Sequence, residues 1–223
     1  MRMMAVFEKG ERLRHIGHLD IQRAMQRALR RSGMPVSYSQ GFNPHILVTF
    51  ASALSTGAAG RRELMDVTLD REVDPEAFLS AMNAALPPDM QLVDARVMED
   101  KHPALMAMLT AADYTIRLLD EEAAEKCLTA IPAFLEQECI MAMRKSKRGL
   151  KECDIRPLIH ELREEGGALR AVLTLTEASA CKPDMLVTAL CGFAGCEAPR
   201  ALVVRNGLLG QNEAGALQPL ETL

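Results

Sequence analysis

The sequence predicts an α+β protein made of two β-α-β-β-α-β units in tandem, and three observations carry that expectation. Short apolar-rich runs alternate with amphipathic stretches of helical period, the order strand, helix, strand, strand, helix, strand accounts for residues 3–98, and the same order returns more faintly from residue 113 onward. The expected domains are 1–104 and 112–223, joined by a link around residues 101–112.

In the first unit, MMAVFEKGE (3–11) reads as a strand. LDIQRAMQRALRRSG (19–33) reads as a helix that gathers Ile21, Ala24, Met25, Ala28 and Leu29 on one face and Arg23, Arg27, Arg30 and Arg31 on the other, with Gly33 and Pro35 as stop signals. A Gly-Phe-Asn-Pro loop leads to a strand over HILVTFAS (45–52), the small-residue stretch ALSTGAAG, and a strand over ELMDVTLDR (63–71). Asp74, Pro75 and Glu76 open a second helix as N-cap, first helical residue and first-turn acid, and it turns Phe78, Leu79, Met82 and Leu86 inward. MQLVDARVM (90–98) closes the unit as a strand.

In the second unit, DYTIRLLD (113–120) is the first strand and EEAAEKCLTAIPAFLEQE (121–138) the first helix, which Pro132 should kink or split. CIMAMRKS and ALRAVLTLTE are the central strands, PDMLVTALCGFAG the second helix and ALVVRNGLL the last strand. LKECDIRPLIHELREEGG (150–167) is an insertion whose shape the pattern does not define. Together these elements make a tandem ferredoxin-like fold, antiparallel sheets with helices on one face.

The formal net charge of −4 speaks against a protein that coats nucleic acid through bulk charge. Local charge is different. Residues 12–31 hold Arg12, Arg14, Arg23, Arg27, Arg30 and Arg31 against the single acid Asp20, and MRKSKRGLK (143–151) holds Arg144, Lys145, Lys147, Arg148 and Lys151 with no acid. No apolar run approaches the roughly 20 residues of a membrane span, and the N-terminus turns charged too soon for a secretory signal, so a cytoplasmic location and no membrane partner are expected. The cysteines at 127, 139, 153, 181, 191 and 196 contain no Cys-x-x-Cys pair; free thiols, no metal and no cofactor are the expectation.

Residues 15–18 spell His-Ile-Gly-His, the signature that class I aminoacyl-tRNA synthetases and related nucleotidyl transferases set over ATP, and RKSKR (144–148) resembles their second, lysine-bearing signature. That chemistry needs a parallel βαβαβ half with a helix between successive strands. Here HILVTFAS leads to another strand without an intervening helix, which argues against adenylyl transfer and leaves an enzyme of that kind, with a nuclease, behind the binding readings.

A longer stretch is more informative. His18-Leu19-Asp20 precedes a helix ending in Arg27-Ala28-Leu29-Arg30-Arg31, followed by Pro35, Tyr38-Ser39 and Gly41-Phe42-Asn43-Pro44-His45. This set resembles the pattern of the radical-SAM-linked, or radical-SAM-associated, protein family, a bacterial domain of unknown function. The departure is Gly17, where that pattern has serine, and this substitution is what completes the letters His-Ile-Gly-His. The resemblance is dense over residues 12–57 and collinear to about residue 210. It implies an accessory partner for a separate radical SAM enzyme, encoded near RNA-related genes. The chain lacks the Cys-x-x-x-Cys-x-x-Cys triad of such an enzyme, so radical chemistry would belong to the partner. Tandem ferredoxin-like units with basic elements also look like RNA-processing endoribonucleases and RNA-binding subunits of CRISPR systems, an analogy of architecture alone.

Candidate RNA contacts are Arg14, Arg23, Arg27, Arg30 and Arg31 on the helix and Arg144, Lys145, Lys147 and Arg148 on the second patch, for tRNA or rRNA phosphates, with Tyr38, Phe42 or Tyr114 to stack on a base. The loop Ser39–His45 reads either as a structural turn, with Gly41 at positive φ and Phe42 plugging the core, or as a ligand-contacting loop rich in side-chain donors and acceptors. His18, Asp20 and His45 are the candidates for acid–base work on a 2′-hydroxyl should they converge; the plainer role for His18 and Asp20 is at the start of the helix.

Overall fold

The computed structural model describes residues 1–146 and 149–223, with the backbone alone at 145 and 146. Lys147 and Arg148 lie outside the described residues. The chain is α+β and forms two compact units, residues 1–109 with 207–223, and residues 110–206, where the sequence suggested 1–104 and 112–223.

The first unit begins β1 (Arg2–Lys9), α1 (His18–Arg31), β2 (Val48–Phe50), β3 (Ala58–Thr68), α2 (Pro75–Ala85), β4 (Leu92–Met98) and a one-turn α3 (Leu105–Met108). Strand β1 pairs antiparallel with both β3 and β4, and β2 pairs antiparallel with the far side of β3, giving the order β4-β1-β3-β2. Period-two alternation turns Met3, Ala5 and Phe7 of β1 and Met65 and Val67 of β3 to one face, where they meet Ile21, Met25, Ala28 and Leu29 of α1 and Phe78 and Met82 of α2 in a single core. Each large side chain buried there contributes about 1.5–3 kcal/mol. The N-cap of α2 is as read: Asp74 accepts from the Ala77 N–H at 3.0 Å with Pro75 first in the helix.

Two strand expectations are corrected. Strand β2 keeps only three of the eight residues expected, because a hairpin-like loop reaches to Ile46 before pairing with β3 begins. Strand β3 starts at Ala58, inside the stretch read as a connector. Alanine and glycine have low strand propensity, but pairing of Gly60 with Lys9 overrides it.

The second unit contains β5 (Leu109–Leu118) from Thr110 on, α4 (Glu121–Leu135), β6 (Met141–Ser146), β7 (Gly149–Asp154), β8 (Ile159–Glu165), β9 (Ala168–Thr174), α5 (Pro183–Phe193) and the first six residues of β10 (Ala201–Gln211), whose remainder belongs to the first unit with β11 (Leu217–Pro219). The order is β10-β5-β9-β8, and β6 and β7 form a separate two-stranded ribbon. The strand expected at CIMAMRKS is therefore not the second strand of the main sheet. That place is taken by β8, from the segment whose shape the sequence left open. It turns into β9 through Gly166 and Gly167, both at positive φ, which suits a two-residue hairpin. Pro132 does not split α4: the last turn is held by buried Ile131 and Phe134, and the Glu136 N–H donates to the Pro132 carbonyl at 3.2 Å.

Burial pushes the Cys181 thiol up to about 12, with the charges of Cys153 and Asp184 adding to the effect. A raised pKa on an acid that is neutral when protonated means the folded state holds the proton more tightly. Its stabilisation is complete below the unfolded value of 9.0 and is lost as pH rises toward 12. The urea midpoint is expected to fall across that window, and Cys181→Ala to show a smaller fall than the parent chain.

Candidate functional site

The motif loop is a latched finger at the edge of the first unit. Tyr38 bridges Ile46 antiparallel, the Ser39 N–H donates to the His45 carbonyl at 2.9 Å, and the His45 N–H donates to Ser39 Oγ at 3.1 Å. Ser39 Oγ also lies 2.8 Å from His45 Nδ1. Below the latch, the Leu47 N–H donates to the Ser37 carbonyl, the Ser37 N–H to the Thr68 carbonyl, and the Ser37 hydroxyl to Asp70. The finger is thus tied by backbone and side chain to the end of β3. Its apex is Gln40-Gly41-Phe42-Asn43-Pro44, with Gly41 at φ +122°, a value that strains any residue with a Cβ.

Phe42 at the apex is fully exposed, and Tyr38 at the base is 43% exposed. The reading of Phe42 as a core plug is overturned. Latch and bridge close the loop below it, so its ring has no core to enter. A phenyl ring left in water forgoes about 1.5–3 kcal/mol of burial, and a loop held this firmly around it presents a surface for contact.

Helix α1 carries the arginines as read, with Arg23, Arg27, Arg30 and Arg31 all exposed. Their local partners differ. Arg23 pairs with Asp20 at 3.1 Å, Arg27 donates to the Arg23 carbonyl at 3.2 Å, and Arg31 donates to the Ala85 carbonyl at the end of α2 at 2.7 Å. Arg30 has no such contact among the described residues. Arg14 is half-buried and holds the loop before α1: its carbonyl accepts from the Gly57 N–H at 2.7 Å and from Lys9 Nζ at 3.0 Å. An open groove of about 590 Å³ is walled by Glu72, Asp74, Glu99 and Asp100 and would repel phosphate.

Beneath the start of α1 lies a feature the sequence reading missed. His18, edge-on to Phe50 at 5.4 Å between ring centres, lines a small cavity with Phe7, Lys9, Ile21, Ser52, Leu54 and Glu63. Lys9 and Glu63 are each only 2% exposed. The signal was present in the alternation: Lys9 continues the inward series Met3, Ala5, Phe7, and Glu63 precedes the inward series Met65, Val67. Gly60 is required here, since a Cβ would stand 2.7 Å from the Glu63 side chain. The cavity volume is about 10 Å³, roughly the minimum for one water, so it supports the fold and admits no substrate.

His18, Asp20 and His45 do not converge. Asp20 faces solvent in the first turn of α1, whose N-cap is Gly17 without a side-chain cap. His18 sits beside Glu63 in the middle of β3 and the His45 latch at the Thr68 end, five residues apart along a strand that rises roughly 3.3 Å per residue. At Gly17, where the motif pattern has serine, a Cβ would lie 3.8 Å from Asp20 Oδ2 and 3.9 Å from Thr56 Oγ1, so serine would fit.

In the second unit, the ribbon β6–β7 sets Arg144 directly opposite Lys151. Like charges across a strand pair repel, and both are exposed. The other face of the ribbon exposes Met141, Met143 and Leu150. Of the remaining candidates, Lys145 is described by its backbone in β6, and Lys147 and Arg148 lie outside the described residues. Tyr114 is buried in β5 and offers no stacking face.

These elements define an α+β protein that displays, in one unit, a latched aromatic finger and an arginine-faced helix. Residues 2–185 match the profile of a family described as an uncharacterized protein conserved in bacteria, DUF2344, and the chain belongs to that family. No curated protein matches it. Among the described residues, no helix is long and apolar enough to cross a membrane.

Proposed function

We propose that this protein binds RNA, of the tRNA or rRNA class, as an accessory to a separate radical SAM enzyme, and has no catalytic activity of its own. The observation that carries the RNA reading is the fully exposed Phe42 at the tip of a latched loop. It has the exposure a base-stacking ring needs, with Gln40 and Asn43 beside it to bond base edges. The exposed arginines of α1 in the same unit supply phosphate contacts. The partner rests on the resemblance of the motif residues from His18 to His45 to the radical-SAM-linked proteins. We also infer that both units are ferredoxin-like, the second with an inserted ribbon. The support is the shared order, β4-β1-β3-β2 in one and β10-β5-β9-β8 in the other.

The test is Phe42→Ala. The side chain is in solvent, so unfolding by urea should be unchanged. Affinity for a single-stranded tRNA or rRNA fragment should drop about tenfold to a hundredfold, the worth of one stacked base, with an unaltered salt dependence. Equal affinity of variant and parent would remove the finger from any RNA site.

One observation favours a second reading, a module that docks the enzyme without touching RNA: Met141, Met143 and Leu150 expose apolar surface on one face of the β6–β7 ribbon. An RNA-processing endoribonuclease is weaker, because its acid–base candidates do not converge: His18 lies beside Glu63 in the middle of β3 and the His45 latch at the Thr68 end.

A further inference from the structure

Three of the cysteines meet at one point in the second unit. Cys127 is buried on α4, Cys191 is buried near the end of α5, and Cys196 is half-buried just beyond it. Helix α5 ends in a Schellman turn: Gly195 takes φ +71°, its N–H donates to the Gly192 carbonyl at 3.3 Å, and the Cys196 N–H donates to the Cys191 carbonyl at 2.9 Å. Such a turn folds the residue after the glycine back onto the helix, where two apolar side chains ordinarily meet. Here both are thiols. Helix α4, held against α5 by the edge-to-face contact of Phe134 with Phe193, adds the third. Cys127 Sγ lies 3.4 Å from Cys191 Sγ and 4.0 Å from Cys196 Sγ, and all three sulfurs are within 4.8 Å of one another.

We propose that Cys127, Cys191 and Cys196 form a binding site for one thiophilic divalent ion of the zinc class. At a zinc–sulfur length of about 2.3 Å, sulfurs at tetrahedral corners stand about 3.8 Å apart. The observed triangle reaches that shape by side-chain shifts of less than about 1 Å. Cys196 at the rim leaves the fourth position toward solvent, for a water or an external ligand. Three thiolates around a divalent ion carry one net negative charge. The Lys126 ammonium, paired with Glu122 at 2.6 Å, also feels the charge of Cys196. Thiol ligands bind a metal as thiolates, so the ion must displace their protons and binding should weaken steeply as pH falls. The ligands escape a search for closely spaced pairs because Cys127 is 64 residues from Cys191, and α4 and α5 meet only in the fold.

The site is tested on the full chain, stripped of metal and reduced, by titration with Co²⁺ and then Zn²⁺. One equivalent of cobalt should give a sulfur-to-metal charge-transfer band that zinc abolishes. Cys196→Ser, at the half-buried position, should weaken binding at least about a hundredfold, beyond what loss of an outer-sphere partner costs. Zinc should protect Cys196 from alkylation while the exposed Cys139 reacts at an unchanged rate. Absence of the band, a band that survives Cys196→Ser, or a Cys127–Cys191 disulfide in the protein as isolated would each overturn the site.

Discussion

Changing Arg23, Arg27, Arg30 and Arg31 together to glutamine is expected to weaken binding of a labelled tRNA or rRNA fragment by about a hundredfold at low salt, and to lower the slope of log affinity against log salt by about three. The slope is the more decisive readout. Each phosphate contact releases a condensed counterion, so four lost contacts on a single strand remove about 0.7 each, whereas a change that merely disturbed the fold would not alter the slope in proportion to charge. All four side chains are exposed, so circular dichroism and the urea midpoint should stay near those of the parent chain. The contributions should be unequal. Arg23 is partly neutralised by Asp20, and Arg31 braces the end of α2 through the Ala85 carbonyl, so Arg27 and Arg30 should account for most of the loss. A binding curve indifferent to all four would take α1 out of the site.

The second large effect concerns stability. Lys9→Met should lower the free energy of unfolding by about 3 kcal/mol, because it removes an ammonium from a pocket that also buries the Glu63 carboxyl and takes the donor from the Arg14 carbonyl. Adding Glu63→Leu should restore most of the loss, since two apolar side chains of similar size can replace a buried pair of charges at little cost. Urea unfolding of the four members of this cycle gives the coupling directly. If the double variant were as unstable as the sum of the singles, Lys9 and Glu63 would be independent of each other.

Much of the first unit could be read from its residues. The face of α1, the capping of α2 by Asp74 and Pro75, and the strand order of elements all follow from short-range patterns whose physics is local. What escaped depended on contacts between distant segments. The strand reaches back through Gly60 where Lys9 of β1 pairs with it, against the propensity of glycine. The exposure of Phe42 depends on the Ser39–His45 latch, which no periodicity announces. In the second unit, β8 was hidden because its alternation is faint, with only Ile159 and Leu162 buried, while the stronger-looking CIMAMRKS went to a ribbon with apolar residues in solvent. The buried Lys9 and Glu63 follow period-two alternation, each continuing an inward series of its strand. The meeting of Cys127 with Cys191 needed the packing of two helices.

The measurement that bears most directly on the proposed RNA binding is crosslinking of RNA to the tagged protein in its own cells, with sequencing, beside the variant in which the four α1 arginines are glutamine. The account predicts strong enrichment of a defined tRNA or rRNA with the parent chain and collapse of that enrichment in the variant. Background recovery with both would contradict it, and the exposed Met141, Met143 and Leu150 of the β6–β7 ribbon would then become the first place to look for a protein partner.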